Sequence, residues 1–400
     1  MEPGKLKQLA LQYEDYVIRM RREFHEHPEV SGKEIETRKR LLREIKAMGL
    51  PYELVPGTGL IVTIKGGKPG RNKLLRADMD ALPLQEDTVN LAGPKACLSQ
   101  NPGVCHACGH DAHMAVLLGT MQVLNKIRNE VPGTIYCCFE EGEETNCGIK
   151  AMLQALEKYT IDECFALHVY FGLDAGQVNI APGPRMAGTA GIGVFIHGKS
   201  GHGSRPDQAI NPIIPAAHMI AQWNSAFMNQ LNVEETVTLG IGKVVAGTAT
   251  NIIPDTAYVG GSARFFNRQE GEKALQIINR VAENTAQVYG CTVTYEDRHG
   301  ISPYPVVNDE GVALNVQKKV VEICGRHVLG DCDKWYASEC YSAYLTRYKG
   351  ALGLLGIRNK AYGSGAPHHN GKFDIDEGAL VLGVCTEAAF VFIDMDEEFC

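Results

Sequence analysis

An interruption in the secondary-structure pattern constrains this chain more than any single motif. Up to Pro182-Gly183-Pro184, apolar runs of strand length alternate with segments of helical periodicity. Residues 60–64, 73–78, 134–139 and 163–169 read as strands, and 111–127 reads as a helix with Asp111 at its N-cap. Residues 6–48 read as two helices around the turn His27-Pro28-Glu29-Val30-Ser31-Gly32, where Ser31 and Glu34 have capping-box spacing. Beyond Pro184 the texture changes to strand 191–198, helix 212–227, strands 236–243 and 256–266, helix 270–289 and strand 291–295. A helix-strand pattern returns from Pro303 and ends in a long helix after Asp376. The outer pattern predicts an α/β layer with a mostly parallel central sheet. The inner βαββαβ block predicts a compact α+β sandwich. The expected architecture is one domain of residues 1–184 and 300–400, interrupted by a smaller one of residues 185–299.

A chain of 400 residues accommodates this, at roughly 150 residues per domain. Hydrophobic residues at 44% and charged residues at 22% exclude a disordered or fibrous protein. The net charge of −8 comes from scattered acidic residues with no basic block, which argues against nucleic acid as a partner. No apolar run reaches the ~18 residues of a membrane helix, so no membrane partner is expected. Met1-Glu2-Pro3-Gly4-Lys5-Leu6-Lys7-Gln8 lacks a secretory pattern, and the 13 cysteines read as thiols of a reducing compartment, so a cytoplasmic location is expected.

The densest chemistry is Cys105-His106-Ala107-Cys108-Gly109-His110-Asp111-Ala112-His113. Apart from its alanines it holds only imidazole, thiol, carboxylate and glycine, which suits a packed core poorly. On a helix, residues two apart diverge; in a turn they share a face, and Gly109 favours the turn. A thiolate and an imidazole converging there suit a borderline metal such as zinc. A second cluster, Glu140-Glu141-Gly142-Glu143-Glu144, follows the strand at 134–139. An isolated acidic run is usually a solvated loop, but strand ends in α/β sheets bind ligands. Adjacent carboxylates there can divide metal ligation from proton transfer. His168 ends an apolar run, and a loop of Gly363-Ser364-Gly365-Ala366-Pro367 delivers His368-His369. The combined donor set suits one or two divalent ions.

Cys105 and Cys108 also form a C-x-x-C, which raises a thiol oxidoreductase or half of a zinc knuckle. No second C-x-x-C completes a knuckle. A deaminase-like reading of His27-Pro28-Glu29 with the same cysteines fails on spacing.

Read in order, Arg22-x-Phe24-His25-x-x-Pro28-Glu29, Arg76-Ala77-Asp78-Met79-Asp80-Ala81-Leu82-Pro83, His106-Ala107-Cys108-Gly109-His110-Asp111, Glu143-Glu144, His168, Gly201-His202-Gly203 and Asn251-Ile252-Ile253-Pro254-Asp255 resemble the aminoacylase/carboxypeptidase metallopeptidases of clan MH. The resemblance covers essentially the whole chain. It is closest to the amidohydrolase branch that includes auxin-conjugate hydrolases, hippurate hydrolases and N-acetyl-diaminopimelate deacetylases. It implies a catalytic metal-binding domain of residues 1–184 and 300–400. The 185–299 insert is implied to be a ferredoxin-like lid that forms a homodimer.

It also implies roles. Cys108, His110, Glu144, His168 and His369 fall on the ligands of a dinuclear centre, with zinc, manganese, cobalt or nickel all compatible. Glu143 falls on the general base that takes a proton from the metal-activated water. His202 falls on the oxyanion donor, commonly supplied by the neighbouring subunit. Asn251 and Arg264 fall where the lid holds the substrate's carboxylate. Asp80 and Asp111 read as carboxylates that orient metal-binding histidines; His25, His106 and His113 stay unassigned. The implied activity is hydrolysis of the amide bond of N-acyl amino acids or amino-acid conjugates. The competing readings are a dipeptidase or carboxypeptidase on the same centre, and a metal- or peptide-binding scaffold without turnover. Two departures from the family pattern, Pro206-Asp207 and Glu339-Cys340-Tyr341, lie where substrate contacts are expected and bear on substrate choice.

Overall fold

The computed structural model describes residues 2–393. The chain divides into two compact units. One comprises the residues up to Gly183, 307–333, and those from Ala343 on; the other comprises Pro184–Val306 and Lys334–Ser342. The sequence pattern puts everything from 300 onward in the larger unit, but residues 300–306 and 334–342 group with the insert. The second of these segments has no periodicity of its own, and its Trp335 N–H donates to the Arg185 carbonyl at 2.8 Å.

The chain opens with three helices where periodicity predicts two, because Tyr13 leaves helical geometry: α1 (Pro3–Gln12), α2 (Glu14–Glu26) and α3 (Ile35–Ala47). There follow β1 (Tyr52–Leu54), β2 (Leu60–Lys65), β3 (Lys73–Asp78), α4 (His110–Lys126), β4 (Thr134–Glu140), α5 (Ile149–Leu156), β5 (Glu163–Asp174) and β6 (Val178–Asn179). The smaller unit follows with β7 (Gly183–Met186), β8 (Gly188–His197), β9 (Gly201–His202), α6 (Ile213–Gln230), β10 (Val237–Ala246), β11 (Ile252–Ile253), β12 (Thr256–Phe265), α7 (Arg268–Val288), β13 (Thr292–Tyr295) and β14 (Gly300–Ile301). The last elements are β15 (Val306–Asn308), α8 (Glu310–Cys324), α9 (Ser342–Leu345), β16 (Lys349–Arg358) and α10 (Leu380–Val391).

In the larger unit the sheet order is β1-β2-β4-β3-β5-β16-β6. Strands β4, β3, β5 and β16 run parallel, flanked by antiparallel β2 and β6. A parallel strand covered on both faces needs continuous burial rather than alternation, and every residue of β3 is buried. The covering helices α4 and α10 are themselves buried almost all round, with Phe390 stacked on Phe165 at 5.3 Å. Polar groups therefore collect at the strand ends, where Asp78 pairs in register with Glu140.

The smaller unit is a ferredoxin-like βαββαβ fold with antiparallel sheet order β10-β12-β8-β13. Its core lies between the sheet and helices α6 and α7, around buried Trp223, whose indole N–H donates to the Ile278 carbonyl at 3.0 Å. Among the described residues no helix is long and apolar enough to cross a membrane.

Candidate metal centre

The centre is built where α4 begins. Gly109 has φ +88° and caps the helix, and a Cβ there would lie 2.2 Å from Val169 Cγ2. Only glycine meets both demands. This turn brings Cys108 and His110 to one side. The helix begins at His110, so Asp111 sits inside the first turn and is not the N-cap. Asp111 does not orient a metal-binding histidine either: its Oδ2 lies 2.7 Å from His25 Nδ1 and 3.0 Å from Arg21 Nε.

The thiol of Cys108 and the ring nitrogens of His110 and His168 lie within 4.8 Å of one another, with all three side chains buried. Cys108, Glu144 and His369 form a second such group, and His110, Glu143 and Glu144 a third. These overlapping groups bring together all of the expected ligands and Glu143. Within them, Cys108 Sγ is 3.7 Å from His168 Nε2, and His369 Nε2 is 3.2 Å from Glu144 Oε1.

The histidines are aimed by their other nitrogens. His168 Nδ1 is 2.7 Å from the Val169 carbonyl, and His110 Nδ1 is 3.1 Å from Asp80 Oδ1. Both leave Nε2 facing the cluster, as metal-bound histidines do. His369 sits at φ +59°, a left-handed conformation uncommon for a residue with a side chain, held by its N–H donating to the Ala107 carbonyl at 2.9 Å. The neighbouring His368 is half-buried, packs 4.9 Å from the Phe373 ring and belongs to none of these donor groups. That is why His369, and not His368, joins the cluster.

Asp80 organises the acidic turn as well. Its carboxylate accepts from the Glu143 and Glu144 N–H groups, each at 3.1 Å, and from Ser31 Oγ at 2.6 Å. Burial opposes charge on Asp80, but the bonds from His110 and Ser31 outweigh it and hold the carboxyl below its ordinary range. The capping box expected from Ser31 and Glu34 does not form. Ser31 is recruited by Asp80, while Glu34 accepts from the Gly142 N–H at 2.8 Å and from Thr58 Oγ1 at 2.9 Å. The remaining carboxylates are consumed elsewhere: Glu140 by Tyr344 Oη at 2.5 Å and Arg76 Nε at 3.3 Å, Glu141 by the Thr58 N–H. Glu143 and Glu144 are the two turned toward the histidines.

Sequence reasoning missed Asp78 and the part played by His113. His113 Nδ1 lies 2.6 Å from Asp78 Oδ1, while its Nε2 accepts from the Val169 N–H at 2.9 Å. Both nitrogens are used, so His113 is no ligand; it ties β3 to β5 beside His168. The signal was present in the two-residue spacing of Arg76, Asp78 and Asp80, of which only Asp80 carries an expected role. His25, also unassigned, lies between Asp111 and Glu86, at 2.7 and 2.9 Å. Burial and Arg21 oppose its charge, but those two carboxylates leave its pKa raised.

The donor set fits a divalent ion. His110 Nε2 and Glu144 Oε1 are buried and make no hydrogen bond, a costly state that a cation between them removes. Thiol, imidazole and carboxylate together suit zinc-like and harder divalent metals. Cys105 does not join them. It bridges to Leu82 through its backbone, and burial pushes its thiol up to about 12, which leaves it unreactive and disfavours a thiol oxidoreductase.

The predicted lid residues lie in the smaller unit. His202 is exposed on β9, which pairs with β11, and the Asn251 carbonyl accepts from the Gly203 N–H at 2.8 Å, so these two positions are neighbours. Arg264 stands on β12 with its guanidinium on Thr189 Oγ1. Of the departures, Asp207 pairs locally with Arg205 at 2.7 Å, and Glu339 Oε1 accepts from the Tyr341 N–H at 2.9 Å.

Residues 74–391 match the model of peptidase family M20/M25/M40. The chain is 32% identical to thermostable carboxypeptidase 1 of Saccharolobus solfataricus over 96% of both chains. It is 33% identical to N-acetylcysteine deacetylase of Bacillus subtilis over 92% of this chain and 93% of that one. Among solved structures it resembles a dinuclear metal-binding peptidase of the M20 family from Bacillus subtilis, with TM-score 0.80, 28% identity, and coverage of 95% of this chain and 98% of that one. The chain belongs to peptidase family M20/M25/M40 and is a metal-dependent hydrolase of amide or peptide bonds.

Proposed function

We propose that this hydrolase cleaves the amide bond of N-acyl amino acids or amino-acid conjugates, with Glu143 as general base. One observation carries the reading. Asp80 holds Glu143 and Glu144 in one turn, with Glu143 within 4.8 Å of the His110 and Glu144 donor atoms, so one carboxylate can ligate while its neighbour moves a proton. Cys108, His110, Glu144, His168 and His369 are proposed to hold one or two divalent ions, with zinc, manganese, cobalt and nickel as candidates. Bound there, such ions polarise a carbonyl and acidify water.

Glu143 takes the proton of the attacking water and passes it to the leaving nitrogen as the C–N bond breaks. The oxygen becomes part of the released acid and the proton part of the released amine. His202 is proposed as the oxyanion donor. Its Nδ1 accepts from the Ser204 N–H at 3.2 Å, which puts the ring proton on Nε2, free to donate. Asn251 and Arg264 are proposed to receive the substrate's carboxylate.

A homodimer through the smaller unit is supported by β10, a sheet-edge strand on which Val244 and Val245 are 54% and 52% exposed. The many free thiols, among them Cys97, Cys105 and Cys137, support a reducing, cytoplasmic setting.

Dipeptide or C-terminal peptide cleavage is the second reading, favoured by the carboxypeptidase relative. The test is amino-acid release from a panel of N-acyl amino acids and dipeptides, using chelator-stripped protein with and without each metal. Metal-restored release from N-acyl amino acids supports the proposal. Release from dipeptides alone supports the second reading, and no release under any metal sinks both.

A further inference from the structure

The outer face of the smaller unit's sheet, opposite its helices, carries an open cavity of about 690 Å³. Its floor is rich in glycine, a residue that weakens strands unless something approaches the backbone closely. The molecule's own packing accounts for some of these glycines. A Cβ at Gly191 would lie 2.3 Å from the Arg298 carbonyl oxygen, and one at Gly260 would lie 2.5 Å from Tyr258 Oη. Gly242 is the extra residue of a bulge, where the β10–β12 register shifts between Ile241 and Lys243. Packing does not account for Gly240, which is exposed, has no positive φ, and whose added Cβ would meet only the Ser262 carbonyl oxygen at 3.8 Å. A side chain would fit there, which leaves the floor open to something from outside the unit.

The charges lining the trough indicate what that is. At one end Arg264 is half-buried against Thr189, and no carboxylate pairs with it among the described residues. At the other end stand Lys243 and Arg298. Arg298 is paired with Glu296 at 2.6 Å, and Lys243, 5.5 Å above the Tyr258 ring, acts on the same carboxylate from beyond ion-pair distance. Lys243 is in register with Gly260, four positions before Arg264 on β12, so the two ends are about 13 Å of strand apart. A cation stands at each end of a neutral glycine floor.

We infer that this trough binds an elongated dianion, with one carboxylate at Arg264 and a second anionic group at Lys243. Resting on the function proposed above, the favoured substrates are amino-acid conjugates that carry a second acidic group at the far end of the molecule. The amino-acid carboxylate and the distal one are then read by different residues.

The experiment uses the full chain. Octanedioate and octanoate are titrated into chelator-stripped protein by calorimetry, in wild type, Arg264→Ala, Lys243→Ala and Gly240→Leu. The dianion is expected to bind wild type about fivefold more tightly than the monoanion. Arg264→Ala weakens both ligands, Lys243→Ala abolishes only the dianion's advantage, and Gly240→Leu, for which there is room in the fold, blocks the trough to both. Equal affinities in wild type, or an advantage unchanged in Lys243→Ala, overturn the inference.

Metal-loaded enzyme is then assayed on N-octanoyl-alanine and its ω-carboxy analogue. Preferential cleavage of the ω-carboxy compound supports the inference. Cleavage of the first without preference for the second overturns the trough and leaves the proposed function standing. The expected binding pattern without cleavage of either leaves the trough standing and counts against the function.

Discussion

Asp80 Oδ1 lies 3.1 Å from His110 Nδ1, and the same carboxylate accepts the N–H groups of Glu143 and Glu144. One buried side chain thus fixes the tautomer of a proposed ligand and the turn that carries both proposed carboxylates. Asp80→Asn replaces an acceptor with an amide that presents an N–H to one of these donors. Metal affinity is expected to fall roughly 10- to 100-fold, measured by competition with a chromophoric chelator. An unchanged affinity would show that Asp80 is dispensable for holding His110.

The division of labour between the adjacent carboxylates is separable. Glu143→Gln is expected to keep its metal and lose turnover by about 10²–10⁴-fold, the usual contribution of a positioned acid/base. Glu144→Gln is expected to lose metal first. Elemental analysis beside kcat decides it: metal loss in the Glu143 variant, with full metal in the Glu144 variant, reverses the two roles.

The two cysteines of the C-x-x-C should behave differently. Cys108 Sγ lies 3.7 Å from His168 Nε2, whereas Cys105 is a buried strand-bridge residue. Cys108→Ser is expected to deplete the metal, and Cys105→Ser to retain it with normal turnover. Equal metal loss in both would make the pair a joint site.

Glu387 offers a pH test away from the centre. It is fully buried in α10, and burial pushes its carboxyl from 4.5 up to about 8. The folded form therefore keeps the proton that the unfolded chain releases above pH 4.5. Stability from this group is complete below that pH and is lost as pH rises toward 8, at about 1.4 kcal/mol per unit. Glu387→Gln should match wild type near pH 5 and exceed it by about 3–4 kcal/mol at pH 8 in urea unfolding. Parallel stability curves for the two proteins would place an ionised Glu387 in the fold.

By itself the sequence determined the class of the fold, because burial on both faces of a parallel strand leaves continuous apolar runs such as those at β4 and β5. It also determined the turn at Gly109, since a cluster of thiol and imidazole two residues apart converges only around a residue free to adopt positive φ. The motif order led to the residues now found together around Cys108 and His110. Local reading failed where a side chain had two possible partners. Ser31 and Glu34 satisfy capping-box spacing, yet the buried donors and acceptors at Asp80, Gly142 and Thr58 claim them. Asp111 looks like an N-cap, yet Arg21 and His25 hold it inside the helix. Likewise, four glutamates within five residues carry no mark of which two face the histidines. That was decided by Arg76, Tyr344 and Thr58, which occupy Glu140 and Glu141 from positions distant in the chain. A buried polar group must be satisfied by whatever the fold brings within reach, and tertiary structure alone sets what that is.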